Sequence, residues 1–280
     1  VGADSTNPQK HNELAHDDEI DLYIPLEFWF CRNIGLALPL IALQYHEVKV
    51  NIEFNTKSSL ISPNTTDLFN NVAVATAASD SEFEITQFKA DLWADYIFLD
   101  TDERKRFAQL SHEYLIEQLQ FTGSERVEST NSYTNIRLSF NHPCKELIWV
   151  SRSDATHVHW NNFRKMGTSD KNSDAYVNPT NKAKLQLNGN DRFAERDGSY
   201  FGLVQPYQHH TNIPHQTGIN VYSFALKPEE HQPSGTLNMS RIDTAQLQLE
   251  NSVQGTVSVY AVGYNVLRIL SGMGGLAYSN

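Results

Sequence analysis

Cysteine is nearly absent: Cys31 and Cys144 are the two thiols in 280 residues, far apart in the chain. That number does not support a disulfide framework and favours a reducing compartment. Long apolar runs are missing too. The longest, residues 36–43, is interrupted by Pro39 and falls far short of the roughly eighteen residues that cross a membrane, and no signal peptide is visible at the start. Basic charge is scarce, with 22 Lys and Arg against 33 Asp and Glu for a net charge of −11. The densest basic cluster, Arg104-Lys105-Arg106, directly follows Asp100, Asp102 and Glu103, so the chain offers little of the basic face that direct nucleic-acid packaging needs. Catalytic signatures are also lacking. There is no Ser-centred elbow, and Gly272-Met273-Gly274-Gly275 has no Lys-Ser/Thr of a phosphate loop, so it reads as a turn where backbones approach closely. The expectation is a protein that is not an enzyme, with no catalytic residue, cofactor or metal.

What the chain has is aromatic residues and alternation. Fourteen Phe, twelve Tyr and four Trp favour strands over helices. Residues 21–54 and 219–249 follow one plan: an aromatic strand with a Tyr near its start (Tyr23, Tyr222), a turn, a glycine (Gly35, Gly235) and a long strand. The long strands close as Val48-Lys49-Val50-Asn51-Ile52 and Ala245-Gln246-Leu247-Gln248-Leu249, a period of two that marks a half-buried strand. A further strand follows each copy, at residues 92–99 and 256–262. This pattern predicts two β-domains in tandem, with Val48, Val50, Ile52, Leu247 and Leu249 facing the cores and Lys49, Asn51 and Gln248 facing away.

The blocks YIPLEFWFCRNIGLALPLIALQYHEV, LDTDERKRFAQLSHEYLIEQLQFTG, NHPCKELIWV, VQPYQHHTNIP, GINVYSFALKPEEHQPSGTLNMSRID and NVLRILSGMGGLAYSN carry a resemblance. In this order they are similar to the major capsid proteins of nucleocytoplasmic large DNA viruses, those of algal and giant viruses above all, over nearly the whole chain. The resemblance implies an all-β fold of tandem (double) jelly-roll β-sandwiches. It also implies a structural protein of trimeric pseudo-hexagonal capsomers in an icosahedral shell. The implied partners are its own copies, minor capsid proteins and penton proteins, with an internal viral membrane nearby but not inserted, and no direct contact with nucleic acid. The implied location is the virion, assembled in the host cytoplasm.

A jelly roll has eight strands. About four are expected before a junction near Ala108: residues 22–30, 38–54, a weak one at 82–88, and 92–99. Half a sandwich would expose open edges, so residues 1–108 are read as the C-terminal part of a first roll and the chain as the later part of a longer protein. Residues 109–280 are read as linker and second roll. Within them, residues 100–115 suit a short helix capped by Asp100 or Thr101, and strands are expected at 114–121, 135–140, 146–151 and 184–187. Residues 199–209 could form a helix, with Pro206 against it.

Residues 152–182 read as a long polar loop, a length that implies a purpose. In the capsid family such loops form the outward tower, so Trp160, Phe163 and Tyr176 are the candidate inter-subunit or outer-loop residues. An alternative reading makes Trp160 and Tyr176 an aromatic sugar platform on a carbohydrate-binding, lectin-like β-sandwich. A third, the cupin-like metalloenzyme, would use His157 and His159 but lacks a carboxylate close by. His209, His210 and His215 have no acid or cysteine among them and read as hydrogen-bonding or interface residues. Asp100, Asp102, Glu103 and Glu113 read as a solvated linker with weak ion pairs. Two tripeptides match the glycosylation pattern: Asn64 in a loop is a weak candidate, and Asn238 falls in an expected buried strand, where a match is accidental. The predicted capsomer is an obligate trimer burying more than roughly 2,000 Å².

Overall fold

The computed structural model describes residues 22–54, 89–128, 133–154, 163, 178–214 and 217–278. The chain divides into two compact units, one of residues 1–37 with 48–98 and the other of residues 38–47 with 99–280.

In the first unit the described residues carry a single helical turn, α1 (Trp29–Arg32), and a 3₁₀ turn at Ile34–Leu36, with Phe28 and Phe30 stacked at 5.0 Å. The strands expected at residues 22–30 and 92–99, and in the 38–54 span, are not formed among the described residues, and residues 82–88 lie outside them. Val50 and Ile52, expected to face a core, are 40% and 52% exposed, as are their polar neighbours. The physical reason is pairing. Alternation records which face of a strand could be buried, but a strand exists only when its N–H and C=O groups meet a neighbour's.

The second unit opens with helix α2 (Thr101–Gln109), capped as expected. Asp100 Oδ1 accepts from the Glu103 N–H at 2.8 Å and Glu103 Oε2 accepts from the Asp100 N–H at 3.3 Å, a closed capping box. Eleven strands follow among the described residues: β1 (His112–Val127), β2 (Thr134–Arg137), β3 (Pro143–Ser153), β4 (Thr180–Leu187), β5 (Asn190–Asp191), β6 (Arg196–Asp197), β7 (Ile219–Ser223), β8 (Leu237–Asn238), β9 (Ala245–Asn251), β10 (Gly255–Leu270) and β11 (Met273–Leu276). Every pairing is antiparallel. One sheet runs β1-β10-β3-β7, with β11 on β10 and β8 on β3; the other runs β2-β9-β4-β5, with β6 on β4. The long strands alternate between the sheets (β1, β3, β7 and β10 in one, β2, β4 and β9 in the other), and this closes the sandwich as a jelly roll. The all-β expectation therefore stands, carried by residues 112–276.

The core between the sheets follows the alternation in the sequence. On β9, Ala245, Leu247 and Leu249 are buried while Gln246, Gln248 and Glu250 are half-exposed; on β10, Val257, Val259 and Ala261 are buried. Each large apolar side chain buried here contributes roughly 1.5–3 kcal/mol. Trp149 of β3 is fully buried against Phe201, ring centres 5.0 Å apart. Phe201 arrives on a π-helical turn, Tyr200–Val204, which runs into α3 (Gln205–His209). Pro206 does not break this helix. The wide turn closes with the Gln205 N–H on the Tyr200 carbonyl, just before Pro206, which has no N–H to place.

Residues 38–47 belong to this unit through the β10–β11 turn. The Tyr45 N–H donates to the Gly272 carbonyl at 2.9 Å. Gly272 has φ +82°, and a Cβ there would sit 2.7 Å from the Tyr45 ring, so both the turn and the close approach need glycine.

Candidate assembly surface

Strand register determines what the β1-β10-β3-β7 sheet shows on its outer side. Leu147, Trp149 and Tyr222 point into the core together with Val259 and Ala261, so the residues between them point out. Phe121, Tyr260, Ile148 and Val221 lie directly opposite one another across all four strands, and the Phe121 and Tyr260 rings stack at 4.7 Å. The next pair along is Leu119 with Val262. Leu119 is 65% exposed and Phe121 48%. Val221 at one end is buried, but Leu119 and Phe121 with half-buried Tyr260 and Ile148 leave an apolar patch on the outer face that is suited to contact with another chain.

Beside that row lies a charged cluster that the sequence reading missed. The β3–β10 register slips between Val262 and Gly263: Val262 pairs with Glu146 and Gly263 with Cys144, leaving Lys145 as the bulged residue. A bulge re-aims side chains. Lys145 is buried, yet its Nζ donates to Glu117 Oε1 at 2.7 Å and to the Pro228 carbonyl at 2.6 Å, and lies 5.6 Å from the centre of the Tyr264 ring. Burial, with the charges of Glu117 and Glu146 behind it, pushes the Tyr264 phenol up to about 12. The sequence signal was present: Lys145-Glu146 interrupts the apolar run from Cys144 to Val150, and a charge at such a position is buried only when paired.

The predicted site residues are placed unevenly. Trp160 and Tyr176, Asn64, and His157, His159 and His215 all lie outside the described residues. Phe163 is half-buried, and its carbonyl packs so closely on Gly218 (φ +102°) that a Cβ there would lie 1.9 Å away. The expected loop at 152–182 is shorter at both ends, because β3 reaches Ser153 and β4 begins at Thr180. Asn238 is exposed, contrary to expectation. It follows Leu237 in a two-residue strand, and its Oδ1 accepts from the Ser240 N–H at 3.1 Å to cap a 3₁₀ turn.

His209 Nδ1 meets the Leu226 carbonyl at 3.0 Å. His210, whose sequence neighbours include no acid, receives two from elsewhere in the fold, Glu146 and Glu229, each 3.1 Å away. Around α2 the acids make exposed contacts, Lys105 with Asp102 at 4.0 Å and Arg268 with Glu113 at 2.9 Å. Among the described residues no group of three or more His, Cys, Asp or Glu is placed to hold a metal ion.

Comparison with known proteins adds to this geometry. A family profile described as large eukaryotic DNA virus major capsid protein matches residues 103–275, and one described as major capsid protein N-terminus matches residues 3–100. The chain is 51% identical to the major capsid protein of Pyramimonas orientalis virus, over 92% of this chain and 61% of that protein. It is 42% identical to the major capsid protein of Paramecium bursaria Chlorella virus 1, over 96% of this chain and 69% of that one. Among solved structures, a chain of the PBCV-1 virus capsid superposes with a TM-score of 0.68 at 35% identity, covering 96% of this chain and 74% of its own. The chain thus spans about three-fifths of the length of its Pyramimonas virus relative. A jelly roll of this strand order, matched by that profile and by relatives across nearly all of its length, places the chain in the large eukaryotic DNA virus major capsid protein family.

Proposed function

We propose that this chain is part of a shell-building protein, a structural subunit of an icosahedral large DNA virus rather than an enzyme. Residues 1–108 contribute to a first jelly roll and residues 109–280 supply linker and second roll. Two similar lobes repeated about a threefold axis give six, so a homotrimer can tile a surface hexagonally within closed symmetry. The subunit resides in the virion, with assembly in the host cytoplasm. Its neighbours are further capsomers, minor capsid proteins and penton proteins, and an internal membrane lies between shell and genome without being penetrated. The net charge of −11 suits a protein that does not itself bind DNA.

The observation that carries this reading is identity of 42–51% to proteins named major capsid protein over more than nine-tenths of the chain. The outer row of Leu119, Phe121, Tyr260 and Ile148 supports it physically, because burial in an assembly would remove the cost of exposing it. Loop residues Trp160, Phe163 and Tyr176 are proposed as further inter-subunit contacts. Sedimentation of the full-length protein at micromolar and nanomolar concentration should give a trimer at both, with a hexagonal outline in electron micrographs. A stable monomer at both concentrations refutes the capsomer.

A further inference from the structure

His210 sits where two carboxylates converge from different elements. Its Nε2 lies 3.1 Å from Glu146 Oε2 on β3, and its Nδ1 lies 3.1 Å from Glu229 Oε1 on the connection between β7 and β8. A neutral imidazole has one N–H and one lone pair. In either tautomer a lone pair would face a carboxylate oxygen at that distance, and only the imidazolium serves both. The Nε2–Oε2 contact lies off the hydrogen-bonding line, so its attraction is that of charge for charge. Glu146 is buried and has that much more to lose if the positive partner disappears.

The β7–β8 connection is fastened at this point. His209 Nδ1 meets the Leu226 carbonyl, Lys145 Nζ donates to the Pro228 carbonyl, and the Thr211 N–H donates to Glu229 Oε2. The charged and titratable groups around it are Glu146 and Lys145 with Glu117 on the sheet, Tyr264 of β10, Glu229, the Lys227–Glu230 pair and His231 on the connection, and His209 beside it. His209 faces a carbonyl, which a neutral ring can still satisfy by donating, and Lys145 is paired with Glu117 at 2.7 Å. His210 is the member whose two contacts cannot both survive loss of its proton.

We propose that His210 is a proton-operated latch that fastens the 226–235 connection and the end of α3 to strand β3. The latch is closed when the ring is charged and released when it is neutral. It depends on the jelly roll itself and not on assembly into capsomers. The Glu146 carboxylate against Nε2, opposed in part by burial and reinforced by the Glu229 carboxylate hydrogen-bonded to Nδ1, holds the ring above the ordinary imidazole value of about 6.5. A group raised on folding stabilises fully below its unfolded value, and that stabilisation is lost as pH rises through the folded value.

Hydrogen exchange on the whole chain between pH 6 and 9, corrected for intrinsic rates, tests the latch. Protection of residues 226–235 should fall roughly tenfold, the scale of one charge-assisted hydrogen bond, with a midpoint above about 6.5. His210→Gln should abolish this pH dependence. Because that variant could disturb the fold, proton NMR of the His210 ring gives a second readout, in which Glu229→Gln, at a partly exposed site, should lower the ring's midpoint. Unchanged protection in the natural chain across this range overturns the latch. So does the same fall in His210→Gln, or a ring midpoint that Glu229→Gln leaves in place.

Discussion

Two regions of this chain share one sequence plan and end in opposite states. Tyr23 and Tyr222 open the two copies, yet Tyr23 is exposed and Tyr222 is buried in the core. Val50 and Ile52 alternate with polar residues as Leu247 and Leu249 do, yet only the second pair is inside. Trp93 is 86% exposed while Trp149 is fully buried. What separates them is partnership. Leu247 sits on a strand paired on both sides, with Ile136 of β2 opposite it on one and Leu185 of β4 on the other. The described residues around Val50 have no such neighbours. Amphipathic alternation is thus a capacity, realised only when hydrogen-bonding strands flank it and a second sheet covers it.

The contrast breaks most decisively at the tryptophans. Trp149→Ala should cost about 3–5 kcal/mol, the range for emptying an aromatic site in a packed core, whereas Trp93→Ala should change stability by less than about 0.5 kcal/mol. Thermal and urea unfolding followed by circular dichroism compare the two, and equal losses would show Trp93 to be packed as well. Trp149→Phe sharpens the point. The buried Trp149 Nε1 has no hydrogen-bond partner among the described residues, so the variant should lose packing alone and fall well short of the alanine.

Next in size is the buried charge of the second region. Lys145→Ala removes the buried cation from its ion pair with Glu117 and should cost about 3 kcal/mol, while replacing Lys145 and Glu117 together by Met should recover most of that loss. Denaturant midpoints of the two variants measure the recovery, and a double variant as unstable as the single one would show that the pair does more than neutralise itself. The smallest difference concerns the thiols. Burial pushes the Cys144 thiol up to about 12, and its Sγ–H donates to the Glu146 carbonyl at 3.2 Å, while Cys31 is exposed. Alkylation at neutral pH should therefore modify Cys31 in the native chain and both thiols after denaturation, as counted by mass spectrometry.

Much of the second roll was legible because its signals are local. The alternation of Ala245 to Leu249 gave β9 its inner face, and Asp100 with Glu103 three residues on gave α2 its cap. The full lengths of β1 and β10 were not legible: past Val262, β10 continues through Gly263, Tyr264 and Asn265, where strict alternation stops and all three are buried. Nor were the two-residue strands β5, β6 and β8, too short to show a period. The site was harder still. Lys145 is buried through a bulge defined by register with β10, and the acids around His210 come from 64 residues before it and 19 after. Such neighbours are created by topology, and no window of sequence holds them together.

The contact between Tyr45 and Gly272 also has a consequence for how the protein is made. A ribosome adding roughly 5–20 residues per second would release the 38–47 segment about 10–45 seconds before the hairpin turn that receives it. Strand β1 waits in the same way for β10, the strand that runs along its length. During that interval an apolar, aromatic nascent chain has no native place to go. Its solubility then depends on chaperones or on the speed of translation, and silent codon changes between the two halves of these contacts would alter yield without altering the finished molecule.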